Sequence, residues 1–90
     1  MKHLNITVHG KVHGVNFRHY TREQAIALGL NGFVMNRDDG TVYIEAEGSE
    51  NQLEKFVEWC KKGPSRAEVT SVETAEGEVK KYSSFEVRRF

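Results

Sequence analysis

Ninety residues, with 13 Lys and Arg against 13 Asp and Glu, 38% hydrophobic and 29% charged, predict one small soluble globular domain spanning residues 1–90. A chain of this size buries about 60% of the surface its unfolded form exposes, which leaves room for one core and excludes a second domain. Zero net charge argues against a general nucleic-acid or anionic-membrane surface, because both require a basic excess or a basic stripe.

Leu4, Ile6 and Val8 alternate with His3, Asn5, Thr7 and His9, the period of a half-buried strand ending at Gly10; His3 and His9 are expected to face outward. Phe17 to Leu28 is rich in helix formers and sets Phe17, Thr21, Ala25 and Leu28 on one face, with Gly29 as terminator. Thr21 with Gln24 offers a later start as a capping box. Residues 30–37 and 41–47 read as two strands around Asp38, Asp39 and Gly40. Two registers fit this hairpin. A two-residue Asp39-Gly40 loop pairs Met35 with Ile44 and turns Phe33 and Met35 inward. A three-residue loop with a bulge at Gly40 pairs Asn36 with Val42 and sets Val34 and Asn36 on the inner face.

Ser49 and Gln52 form a capping box for a second helix, whose Leu53, Phe56, Val57 and Cys60 make one buried face before Gly63 and Pro64 stop it. Val69 and Val72 predict a further strand, a polar connector runs around Glu76 to Lys81, and Phe85 with Val87 predicts a short last strand. The order β-α-β-β-α-β-β is an α+β fold of the split β-α-β kind. Two helices cover one face of an antiparallel sheet, with a short C-terminal strand added.

Residues 1–22 hold Lys2, Lys11, Arg18, Arg22 and all four histidines and no carboxylate, so one end is suited to an anion. Strand one runs up, the first helix down and strand two up, so the loop Gly10 to Phe17 and the end of strand two near Asn36 share one sheet edge. Gly10 and Gly14 let the loop backbone turn, the helix start offers free N–H donors, and Arg18 can grip two phosphate oxygens. No Lys-Ser or Lys-Thr follows Gly14, so nucleotide triphosphate binding is not implied. The histidines lack the spacing of metal ligands and no Cys is near them, so no metal is expected. Asp38 and Asp39 read as turn residues, Trp59 and Cys60 as packing, Lys11 and His19 as surface, and Tyr20 as either a border of the site or a cover of the core. A lone cysteine precludes an internal disulfide and favours a reducing compartment, with cytoplasm as the expectation. No signal-peptide pattern is visible, and no run approaches the roughly 18 apolar residues of a membrane span.

The stretch Gly10-Lys11-Val12-His13-Gly14-Val15-Asn16-Phe17-Arg18 closely resembles the first signature of the acylphosphatases. The second resembles Gly32-Phe33-Val34-Met35-Asn36, three residues, Gly40-Thr41-Val42 and, five residues on, Gly48; the likeness continues through Gly63-Pro64-Ser65 and Phe85-Glu86-Val87. One position departs, since the family most often has Gln where this chain has His13. The resemblance implies a ferredoxin-like fold and hydrolysis of the carboxyl-phosphate bond of small acyl phosphates, with inorganic phosphate as product or inhibitor and no cofactor. It also implies that Arg18 and the N–H groups of His13, Gly14, Val15, Asn16 and Phe17 hold the phosphate while Asn36 orients the attacking water. That role favours the three-residue hairpin loop. A carboxylate leaving group, with a conjugate acid of pKa about 4, needs no general acid, and a loose phosphoryl-transfer transition state rewards positioned donors more than bases. A monomer is the default. Two rivals are an RNA-binding module of the same topology using Phe33 and Tyr43, and a regulatory anion-binding domain without turnover.

Overall fold

The structure, a computed structural model, describes residues 1–89. Its elements are β1 (Lys2–Lys11), α1 (Phe17–Ala27), β2 (Asn31–Asn36), β3 (Val42–Gly48), α2 (Glu50–Lys62), β4 (Glu68–Gly77) and β5 (Phe85–Arg88). The strands lie in the order β4-β1-β3-β2-β5. β1 pairs antiparallel with β3 and β4, and β2 antiparallel with β3. β5 pairs parallel with β2, so the sheet is antiparallel over four strands and mixed at its last. This is the α+β ferredoxin-like arrangement, with β5 added at one edge.

Alternation along the strands sends Ile6 and Val8 of β1, Val34 of β2, and Val42, Ile44 and Ala46 of β3 to the helix side, all completely buried. Phe17 and Ala25 of α1 and Leu53, Phe56 and Cys60 of α2 close over them. α1 starts at Phe17 and not at Thr21, because the Thr21 side chain faces the core and cannot cap. α2 opens with the capping box: Ser49 Oγ accepts from the Gln52 N–H at 3.3 Å and Gln52 Oε1 accepts from the Ser49 N–H at 3.3 Å. Such a cap contributes about 1 kcal/mol.

β4 and β5 stand at opposite edges, four strand spacings or about 19 Å apart. Residues 78–84 join them, and seven residues extend to about 25 Å at most. The connector therefore crosses the sheet face that the helices leave bare. His3 faces that side, as the alternation predicts, but it is 2% exposed, because the connector roofs it over. Beneath the roof, His3 Nδ1 lies 2.7 Å from Glu47 Oε2 and its Nε2 lies 2.9 Å from Asn5 Oδ1. Glu47 in turn accepts from the backbone N–H groups of Lys80 at 2.5 Å and Tyr82 at 3.0 Å. Phe33 and Tyr43 share this face and are already occupied. The guanidinium of Arg88 sits 3.9 Å above the Phe33 ring and that of Arg37 3.9 Å above Tyr43. The aromatic platform that an RNA-binding module would present is thus covered by the chain's own arginines.

Candidate active site

β1 and β2 are both antiparallel to β3 and hence run the same way, and the register sets Val8, Val42 and Asn36 in one row across the three strands. Two strand spacings, about 10 Å, separate Val8 from Asn36. The segment 12–16 leaves β1 just beyond that row and enters α1 at Phe17. Gly14 takes φ 72° and Asn16 takes φ 60°, ψ 27°. Left-handed residues placed this way in a turn gather neighbouring N–H groups into a concave nest that attracts anions. Asn16 occupies the N-cap position, yet in this conformation its side chain makes no cap hydrogen bond, and the first turn of α1 carries no acidic residue. The contrast with α2 is instructive, since Ser49, Gln52 and Glu50 satisfy that helix start from within the chain. Among the described residues, no backbone hydrogen bond uses the N–H groups of His13 to Phe17. Unpaired N–H groups next to the positive end of a helix form an arrangement suited to an anion.

Arg18 is half-buried in the first turn of α1. No ion pair among the described residues engages it. By contrast His9 pairs with Glu73, His19 with Glu23 at 2.7 Å, and Lys11 with Glu68 at 3.9 Å, so much of the basic excess of residues 1–22 is answered locally.

Asn36 ends β2 opposite Val42, and Val34 lies opposite Ile44. This is the three-residue loop register, with Arg37 N–H donating to Thr41 O at 2.9 Å and Gly40 at φ 89°. Asn36 accordingly shares the helix-covered face with Val34. Its Oδ1 is buried and has no hydrogen-bond partner. An orphaned acceptor of this kind costs about 1–3 kcal/mol, a local penalty that calls for an explanation. Asp39 holds the turn, its Oδ1 accepting from the Thr41 N–H at 3.0 Å and Thr41 Oγ at 2.6 Å. Those bonds, first that from the hydroxyl, keep the Asp39 carboxyl below its ordinary pKa. Asp39 is thus the turn residue its place beside Gly40 predicts.

Two features escape sequence reasoning. His13 Nε2 lies 2.9 Å from Thr41 O, so the loop and the hairpin touch through a side chain read only for its backbone. Thr21 carries the other buried, unpartnered side-chain oxygen; on a face with Phe17 and Ala25 it reads as core, and nothing in the sequence sets it apart. Tyr20 borders a hollow of about 330 Å³ beside the loop, lined also by Val15, Asn16, Pro64, Ser65 and Arg66. Trp59 packs against Phe17 and Phe56, and burial pushes the Cys60 thiol far above its ordinary pKa, which leaves it unreactive.

A split β-α-β domain with an open amide nest, a free guanidinium and an orphaned amide oxygen at one sheet edge belongs to the class of small α+β proteins suited to phosphoryl groups. Comparison with known proteins narrows the class. A family model described as acylphosphatase matches residues 4–87. The chain is 47% identical over 90 residues to the acylphosphatase of Thermotoga maritima, covering all of both chains. It is 49% identical over 84 residues to that of Archaeoglobus fulgidus, covering 93% of this chain and 94% of the other. The crystal structure of acylphosphatase from Bacillus subtilis matches with a TM-score of 0.96 at 39% identity, over 99% of this chain and 100% of that one. The chain belongs to the acylphosphatase family, and it is an enzyme with that activity.

Proposed function

We propose that this enzyme cleaves the carboxyl-phosphate bond of small acyl phosphates by direct attack of water, with no metal and no covalent intermediate. The N–H groups of His13, Gly14, Val15, Asn16 and Phe17 and the Arg18 guanidinium hold the phosphoryl oxygens, and Asn36 aligns the water. The observation that carries this reading is the buried Oδ1 of Asn36, which accepts nothing from the chain and lies at the same sheet edge as the open amides. It accepts a hydrogen bond from water, whose oxygen attacks phosphorus in line with the departing carboxylate; the water's proton leaves with the phosphate product. A neutral amide does this without repelling the dianion, as a carboxylate at position 36 would. Donors fixed before the reaction stabilise the charge spread over the equatorial oxygens.

The hollow of about 330 Å³ beside Val15 and Asn16 suits a small acyl group. Inorganic phosphate, which shares the bound group, acts as product and competitive inhibitor. The reading takes residues 1–90 as one acylphosphatase-like domain acting as a monomer without nucleic acid, supported by one core shared among the elements and by zero net charge. No helix among the described residues is long and apolar enough to cross a membrane, and the lone buried Cys60 agrees with a reducing cytoplasm.

Benzoyl phosphate hydrolysis, followed spectrophotometrically with and without chelator, tests the proposal. Turnover should be insensitive to chelator. Arg18→Ala should abolish measurable phosphate inhibition, and Asn36→Ala should lower kcat by about 10²–10³, the cost of one positioned polar group, while leaving the phosphate inhibition constant nearly unchanged. A wild-type kcat in Asn36→Ala would remove the water-orienting role. Phosphate binding without hydrolysis would favour the regulatory module.

A further inference from the structure

We propose that the imidazole of His13 is a positioning group that fixes the phosphate loop against the hairpin carrying Asn36, a role that rests on the site reading above and extends it. His13 Nε2 lies 2.9 Å from Thr41 O. A carbonyl oxygen only accepts, so Nε2 carries the hydrogen, and it does so in both the Nε2–H neutral tautomer and the imidazolium. The same oxygen accepts from the Arg37 N–H at 2.9 Å, so its two lone pairs serve one donor from the hairpin and one from the loop. Thr41 is 6% exposed and held from the other side by Asp39, which makes its carbonyl a fixed anchor.

The location matters. Arg37 and Thr41 follow and precede the pair Asn36 and Val42, so the anchor lies one step beyond the residue that aims the water. Among the described residues, the His13 bond is the one hydrogen bond joining segment 12–16 to the hairpin. The loop's remaining bond, from the Tyr20 N–H to Asn16 O, holds it to α1 alone. Amides that cradle the phosphoryl group and the oxygen that aims the nucleophile therefore sit on two chain segments, and the His13 imidazole spans the gap. In-line attack depends on that relative placement, and a displacement of about 1 Å can cost about 10²-fold in rate. Phosphate affinity depends on the loop, α1 and Arg18, which the imidazole does not link.

His13→Ala keeps the backbone N–H and removes only the tether. It should lower kcat about 10- to 100-fold, with the phosphate inhibition constant changed less than about threefold. His13→Gln, whose carboxamide N–H can reach the same carbonyl, should return kcat to within about threefold of wild type. In an Asn36→Ala background, His13→Ala should cost less than about threefold, because the tether acts through the residue already removed. An unchanged kcat in His13→Ala, a loss confined to phosphate affinity, failure of Gln to rescue, or additive losses in the double variant would each overturn the proposal. Arg18→Ala and Asn36→Ala in the same assay report on the underlying site separately, since each fails or holds whatever His13 does.

Discussion

Asn36 holds a buried amide oxygen that the rest of the chain leaves without a partner, and Asn16 holds its backbone at φ 60°, a conformation that asparagine tolerates better than most residues. Both are local costs placed at the same sheet edge. Such costs persist where surrounding structure fixes the residue and function uses the result. A consequence follows for stability. Asn36→Ala removes an unsatisfied acceptor, so the variant should melt at or a few degrees above wild type while losing turnover. A thermal scan that finds it more than about 5 °C less stable would show that the amide is a structural bond after all. His13 shows in the sequence only what its main chain can offer. Position 13 lies in a turn, and its acceptor is a carbonyl 28 residues away whose direction depends on the hairpin register.

At the scale of elements, the connector 78–84 is pinned to the sheet by two carboxylates of β3. Glu47 receives the N–H groups of Lys80 and Tyr82, and Glu45 receives the hydroxyls of Tyr43 and Tyr82, each at 2.7 Å. Burial opposes ionisation of both, but the hydrogen bonds outweigh it and hold both carboxyls below the ordinary glutamate value. A depressed carboxylate pKa stabilises the fold above the unfolded value of about 4.3, and the gain is lost as pH falls through the folded value. The phenols move the other way. Burial first, then the Glu45 carboxylate, pushes Tyr43 and Tyr82 up to about 12. Their contribution is complete below about pH 10 and is lost as pH rises toward 12. Unfolding midpoints should therefore be flat between these limits and fall at both ends. Glu47→Ala, which leaves His3 Nδ1 and two backbone N–H groups unanswered, should cost about 3 kcal/mol in urea unfolding. It should leave kcat intact, because Glu47 pairs near the start of β1 and β2, at the sheet end away from the loop. A matching loss of kcat would show that the connector reaches the site.

For the whole molecule, the strand order brings the ends of β1 and β2 to one edge with β3 between them, and the N-terminus of α1 to the same place. A ligand that bridges these elements stabilises the native state as a unit. Inorganic phosphate at 100 times its dissociation constant should add about 2.7 kcal/mol, and raise Tm by roughly 10–20 °C for a domain of this size. Arg18→Ala should erase the shift, whereas Asn36→Ala should keep it; an equal shift in all three would place the anion elsewhere.

Features that depend on neighbours a few residues away are readable directly from the order of the residues. The period-2 run of β1, the Ser49-Gln52 box, the apolar faces of both helices, and the loop from Gly10 to Arg18 all lie within one or two turns of chain. Local sterics and short-range hydrogen bonds suffice to fix these features. Periodicity leaves the hairpin as two alternatives, because a change of one loop residue turns every side chain over, and the role implied for Asn36 selects the three-residue loop that the register shows. Long-range pairing sets the remaining features. β4 runs to Gly77, past the start of the predicted polar connector, because pairing with β1 down to His3 gives its Thr and Glu residues a ladder that composition does not announce. Alternation assigned His3 to the outer face but not its burial, since its cover arrives from residues 78–84, more than seventy positions later. The His13 tether and the orphaned oxygen of Asn36 likewise exist only once distant segments meet. Periodicity states which way a side chain points, and only the assembled chain determines what stands opposite it.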